Sequence, residues 1–181
     1  MLGSVCLSAL RLHGHIAIAG SKEPPAVTFH ERLAAARPSP WRPMRICGID
    51  PDSDGANVAV IDVQADIAVS VVESEVRRIR LTDHEDSLSL QDFSRTLASF
   101  LRDMSVDMVA VRRCTYKGKY LSGAAALKIE AMIQVNGVPV RLISPQTIKA
   151  VRKKTEMIAP ESLRRYQHEA FDAAVACAQP E

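Results

Sequence analysis

From Met44 onward the spacing of apolar residues changes period several times. Met44 to Ile49 is an apolar-rich run, the polar stretch Asp50 to Gly55 follows, and Ala56 to Val63 is apolar again. Short runs of this kind bounded by turn residues predict two buried strands, with Gly55 allowing the reversal between them. Ile67 to Leu81 contains a third strand, with partial alternation through Val76, Arg77, Arg78, Ile79, Arg80 and Leu81. Short connections join these three as an antiparallel meander. The period then lengthens. Phe93, Leu97, Phe100, Leu101 and Met104 recur at i, i+4, i+7, i+8 and i+11, which predicts an amphipathic helix, with Ser89 and Asp92 placed as a capping pair.

Asp107 to Arg112 reads as a fourth strand, Ser122 to Val135 as a second helix and Val138 to Ile143 as a fifth strand. Ser144-Pro145 opens a short helix through about Val151, because proline is tolerated in a first helical turn, and Glu161 to Ala178 forms the last helix. The order of three strands, helix, strand, helix, strand, helix, helix predicts an α/β domain. Its five-stranded mixed sheet has three antiparallel strands followed by two parallel ones, with helices on both faces.

The 181 residues suit one domain, and 47% apolar with 24% charged side chains is the composition of a folded globular chain. No apolar run approaches the roughly 18 to 20 residues of a membrane-spanning helix, so no membrane partner is expected. Residues 1–43 stand apart. They hold five of the ten prolines and the single tryptophan, Trp41, without a sustained period. We expect a poorly structured leader or start-site extension there, and one domain over 44–181. Cys6, Cys47, Cys114 and Cys177 form no Cys-x-x-Cys pair, which argues against zinc or a disulfide framework and fits a reducing cytoplasm.

The net charge of +2 becomes informative once divided along the chain. Residues 44–111 have 6 basic and 13 acidic side chains, whereas 112–165 have 12 basic and 3 acidic. A concentrated basic segment is the usual footprint of a polyanion partner, with a solvated basic surface as the plainer reading. Tyr116-Lys117-Gly118-Lys119-Tyr120 places two lysines and flanking aromatics in one loop, suited to phosphates and bases. Lys149, Arg152, Lys153 and Lys154 continue the positive run.

The GIDPDSDG turn, the SPQTIK segment, the terminal HEAFDAAVA and the strand order resemble the ribonuclease H-like superfamily, in its RuvC-type Holliday-junction resolvase branch. More narrowly, MRICGID, VRRCTYKGKY, GAAALKIEA and LISPQTIKA resemble a bacterial domain-of-unknown-function family, number 3010, over essentially all of Met44 to Ala178. The resemblance implies a metal-dependent phosphodiester nuclease. In it, carboxylates from the first strand, the fourth strand and the last helix hold two divalent ions, Mg²⁺ or Mn²⁺, that activate water and stabilise the leaving oxygen. Asp50 matches the first-strand position and Asp172 the last-helix position, which makes these two the expected metal ligands. Glu169, three residues before Asp172, shares its helical face and completes the expected catalytic set. Lys149 resembles the lysine of a Pro-x-x-x-Lys element, and Lys117, Lys119, Lys149 and Lys153 are the expected nucleic-acid contacts.

One position departs from that pattern. Where the fourth strand is expected to supply an acid, the chain reads Arg112-Arg113-Cys114, with Arg113 at the expected carboxylate position. An arginine cannot ligate Mg²⁺, and its fixed charge opposes a cation. Asp52, Asp54 and Glu130 are the remaining carboxylates that could substitute. The expectation is therefore a RuvC-like, nucleic-acid-directed protein with an incomplete nuclease site. The alternative is a noncatalytic module binding nucleic acid or protein on the same fold. DNA versus RNA, and a homodimer, stay open.

Overall fold

A computed structural model describes residues 42–117, 121–155 and 158–179. Nearly all of the expected leader, including Trp41, and the loop residues Lys119 and Tyr120 lie outside the described residues.

The central strand is β1 (Met44–Asp52), paired antiparallel with β2 (Gly55–Val63) at nine positions, from Met44 opposite Val63 to Asp52 opposite Gly55. Gly55 takes φ +152, and a β-carbon there would stand 2.3 Å from the Ile79 carbonyl oxygen, so both conformation and space require glycine. On its other side β1 pairs in parallel with β5 (Met108–Arg112), which pairs in parallel with β6 (Val140–Ile143). The expected third strand is divided. β3 (Val69–Val72) and β4 (Arg78–Arg80) both pair antiparallel with β2, at opposite ends of it. Between them the Ser74 hydroxyl bonds to both the N–H and the carbonyl of Val76, a local turn that breaks the run. The strand path β3-β2-β1-β5-β6 has the expected three antiparallel strands and two parallel ones, with β4 as an extra segment on β2.

Alternation along β1 and β5 gives the sheet two buried faces. Cys47, Ile49, Val58, Val109 and Val111 pack under α1 (Ser87–Asp103) and α2 (Ala124–Gln134). In α1 the expected stripe of Phe93, Leu97, Phe100 and Leu101 is buried, each contributing about 1.5–3 kcal/mol of hydrophobic stabilisation. The helix is capped by Asp86, whose carboxylate accepts from the Ser89 N–H at 2.8 Å, rather than by Ser89 and Asp92.

The opposite face, with Ile46, Ala59, Ile61, Met108 and Ala110, lies under α3 (Pro145–Thr155) and α4 (His168–Ala178). The last helix begins at His168, later than the sequence pattern suggests, because a 3₁₀ turn at Arg165–Gln167 precedes it. Gln167 Nε2 donates to the Val58 carbonyl at 2.8 Å and ties that turn to β2. Alanines at 170, 173, 174 and 176 let α4 come down close to the sheet. At Gly48 a β-carbon would lie 1.9 Å from the Ala170 carbonyl oxygen, so backbone meets backbone there. Among the described residues no helix is long and apolar enough to cross a membrane.

Candidate functional site

The parity of β1 that sends Ile46 and Gly48 toward α4 sends Asp50 the same way, two residues further toward the strand's end. Asp50 stands opposite Asn57 of β2, which in turn stands opposite Arg78 of β4. On the other side Gly48 is level with Ala110, so Arg112, two residues on, is the β5 side chain beside Asp50. Above this row α4 presents Glu169 and Asp172, one turn apart on its surface.

The five ionic groups form an alternating chain. Arg112 Nη1 donates to Asp50 Oδ1 at 3.1 Å, and Arg112 Nε lies 3.4 Å from Glu169 Oε2. Arg152, from α3, donates through Nη2 to Glu169 Oε1 at 3.2 Å and also pairs with Asp172 Oδ2. Asp50 and Asp172 form the floor, with side chains 14% and 10% exposed, while Arg112 at 35%, Glu169 at 44% and Arg152 at 47% form the rim. Burial pushes the Asp50 carboxyl above its usual pKa, and the neighbouring Arg112 charge only partly reverses that shift. Arg152 is held more strongly protonated by its hydrogen bond to Asp172.

The structure thus brings Asp50, Glu169 and Asp172 into one cluster, as the sequence suggests, but through arginine rather than around a common point. Among the described residues no group of three or more His, Cys, Asp or Glu side chains is placed to hold a metal ion. Both Glu169 oxygens, one of Asp50 and one of Asp172 already face guanidinium nitrogens. Two divalent ions do not fit a donor set with two permanent cations inserted between its carboxylates.

The β5 arginine that faces the cluster is Arg112, one residue before Arg113, the position expected from the resemblance. Arg113 is exposed, and its backbone N–H bonds the Ile143 carbonyl at 2.9 Å as the β5–β6 ladder ends. The substitute carboxylates are also committed elsewhere. Arg78 pairs with Asp52 at 3.4 Å and with Asp54, bracing the β1–β2 turn, while its Nη1 donates to Asn57 Oδ1 at 3.0 Å. Glu130 is buried in α2, where it accepts the Cys114 N–H at 2.5 Å and the Tyr116 hydroxyl. That hydrogen bond raises the Tyr116 phenol to about 12, and burial raises the Cys114 thiol to about 11.

Of the expected nucleic-acid contacts, Lys117, Lys149 and Lys153 are exposed and Lys119 is outside the described residues. Lys149 and Lys153 are one turn apart on α3, on the side that also carries Arg152. Arg152, Ile158, Arg165, His168, Glu169 and Asp172 border an open cavity of about 610 Å³ beside the cluster. Arg112 and Arg152 are the site members that sequence reading missed. Small residues at 48 and 110, matched beneath an alanine-rich helix, are the signal that would have selected Arg112 over Arg113.

A family model described as "Protein of unknown function (DUF3010)" matches residues 44–177. No curated protein matches the chain. Among solved structures, Thermus thermophilus RuvC in complex with Holliday junction substrate is similar at 16% identity and TM-score 0.57, covering 74% of this chain and 92% of that one. A second Thermus thermophilus RuvC structure gives 18% identity and TM-score 0.54, with 75% and 92% covered. The yeast mitochondrial Holliday junction resolvase gives 12% identity and TM-score 0.47, with 82% and 84% covered. At these identities the likeness to the two RuvC structures is one of fold. With strand order, helix placement and family match in agreement, the chain belongs to the DUF3010 family and has the RuvC-type ribonuclease H-like fold.

Proposed function

We propose that the protein is a nucleic-acid-directed member of the ribonuclease H-like fold that binds DNA or RNA across the α3–α4 face without two-metal cleavage. The observation that carries this reading is the insertion of Arg112 and Arg152 between Asp50, Glu169 and Asp172. A two-metal phosphodiester displacement requires carboxylates that accept two hard cations, and here guanidinium groups take their place. Nucleic acid as the partner is supported by the basic segment 112–165, by exposed Lys149 and Lys153 on the helix that carries Arg152, and by the RuvC of similar fold that is complexed with a Holliday junction. The same observation favours the noncatalytic module over the incomplete nuclease.

The test incubates the full chain with a four-way DNA junction, a single strand and an RNA–DNA hybrid, in Mg²⁺ and in Mn²⁺. Salt-sensitive binding without cleavage is expected. Lys149→Ala and Lys153→Ala should each lower affinity and reduce the salt slope by about one. Metal-dependent cleavage that disappears in both Asp50→Asn and Asp172→Asn would establish a nuclease instead. Failure to bind any of the three probes would remove nucleic acid from the account.

A further inference from the structure

The carboxylate cluster has a second chemistry, which rests on the nucleic-acid reading above and assigns its ligand. A guanidinium is planar, permanently charged and carries five N–H donors, so one edge can be fixed by a carboxylate while another faces outward. Each site arginine is held by hydrogen bonds through one nitrogen and keeps other donors uncommitted. Arg112 makes its hydrogen bond through Nη1, to Asp50, and Arg152 makes its two through Nη2, to Glu169 and Asp172. Among the described residues, Arg112 Nη2 and the Nη1 and Nε of Arg152 have no hydrogen-bond partner. Arg112 Nε is buried and faces Glu169 without forming a hydrogen bond. Because the two arginines approach opposite oxygens of Glu169, their guanidinium groups lie side by side across a single carboxylate.

We propose that Arg112 and Arg152 together grip one phosphodiester of a nucleic-acid strand, through the guanidinium edges turned away from Asp50, Glu169 and Asp172, and that they do so without a divalent metal. A purely structural role accounts poorly for the arrangement. The cluster has three acids against two bases, leaves a buried donor unsatisfied, and borders an open cavity through Arg152, Glu169 and Asp172, whereas α4 is already anchored by its buried apolar face. Asp50 holds the rotamer of Arg112 and Asp172 that of Arg152, so little side-chain freedom is lost when a phosphate arrives. Arg165 borders the cavity, and exposed Lys149 and Lys153 lie on the helix that carries Arg152, so positive charge on this face offsets the cluster's excess negative charge for an approaching polyanion.

The experiment measures binding of the full chain to a fluorescent single-stranded oligonucleotide and to a four-way junction, in EDTA and in Mg²⁺. Equal affinity in the two buffers is expected. Arg112→Lys and Arg152→Lys keep the charge but lose the planar fork. Each should weaken binding about tenfold with an unchanged salt slope. Should either variant fold poorly, Glu169→Gln provides the second reading. It removes a negative charge beside the phosphate and should tighten binding by about two- to threefold. Weaker binding by Glu169→Gln would overturn the proposal, as would a requirement for Mg²⁺. Wild-type affinity in both folded lysine variants, with Lys149→Ala and Lys153→Ala still impaired, would overturn this assignment and leave nucleic-acid binding standing. If the wild-type chain binds neither probe, both readings fall.

Discussion

The molecule has buried carboxylates on both faces of its sheet and satisfies them in opposite ways. On the α1–α2 face, Glu130 stands alone and accepts neutral donors, the Cys114 N–H and the Tyr116 hydroxyl. On the α3–α4 face, Asp50 and Asp172 meet guanidinium groups and share them with Glu169. A lone carboxylate saturated by neutral donors anchors a loop, and nothing in its shell is left to recognise a ligand. Carboxylates laced with arginine keep charged donors at the surface, where an anion can reach them. The difference separates a structural acid from the acids of the proposed binding site more clearly than burial does, since Asp172 is nearly as enclosed as Glu130.

The contrast is broken most severely at Glu130. Glu130→Ala strands the Cys114 N–H and releases Tyr116, and we expect a loss of about 3 kcal/mol in urea unfolding. In the same variant the Tyr116 phenol should fall from about 12 to the ordinary value of about 10, read from phenolate absorbance on alkaline titration. A phenol raised in the folded state stabilises below its unfolded pKa. That contribution therefore fades in the wild type as pH rises from about 10 through about 12. An unchanged tyrosine titration would mean that Glu130 does not hold Tyr116 in solution.

Next in size is a gain. Arg112→Asp exchanges a cation for a carboxylate beside Asp50 and Glu169, and Mn²⁺ should then stabilise the variant by about 2.7 kcal/mol at a hundredfold excess over its Kd. Wild type should show no Mn²⁺-dependent rise in Tm. If wild type rose equally, the arginines would not be what excludes the metal.

A smaller effect is expected from Arg152→Met, which leaves Asp172 enclosed and unpaired. Because Arg152 is half-exposed, the loss should be about 1–2 kcal/mol, below that for a fully buried pair. The double variant with Asp172→Asn should recover much of it, and additive losses would show that the two side chains act independently.

The smallest change belongs to Asp50→Asn. Burial raises the Asp50 pKa, so its ionised form is disfavoured in the folded state, and the penalty is fully present only above the folded pKa. The variant should be up to about 1 kcal/mol more stable than wild type at neutral pH. That advantage should vanish below the ordinary carboxylate pKa of about 3.9. Destabilisation at neutral pH would show that the Arg112 pair outweighs burial.

Much of this was legible in the chain because period reports burial. The Phe93–Leu101 stripe, the two strands around Gly55 and the placement of Asp50 against Glu169 and Asp172 follow from spacing, motif order and family resemblance. What escaped depended on single-residue parity and on long-range partners. Arg112 and Arg113 are chemically identical neighbours, and only the register of β5 against β1 decides which faces α4. Arg152 looked like one more cation of a basic run, yet its partners lie 17 and 20 residues away on another helix. Val72 to Arg78 looked continuous with its strand, and one serine hydroxyl divided it.

The contact at Gly48 gives the site a fixed calibration. α4 bears Glu169 and Asp172, and at Gly48 it meets β1 through the Ala170 carbonyl, where no rotatable side chain lengthens or shortens the gap. The height of those two acids above Asp50 is therefore set by the absence of a methyl group. Even alanine at this position would act as a shim, lifting the helix end and stretching the Arg112–Glu169 bridge that spans sheet and helix.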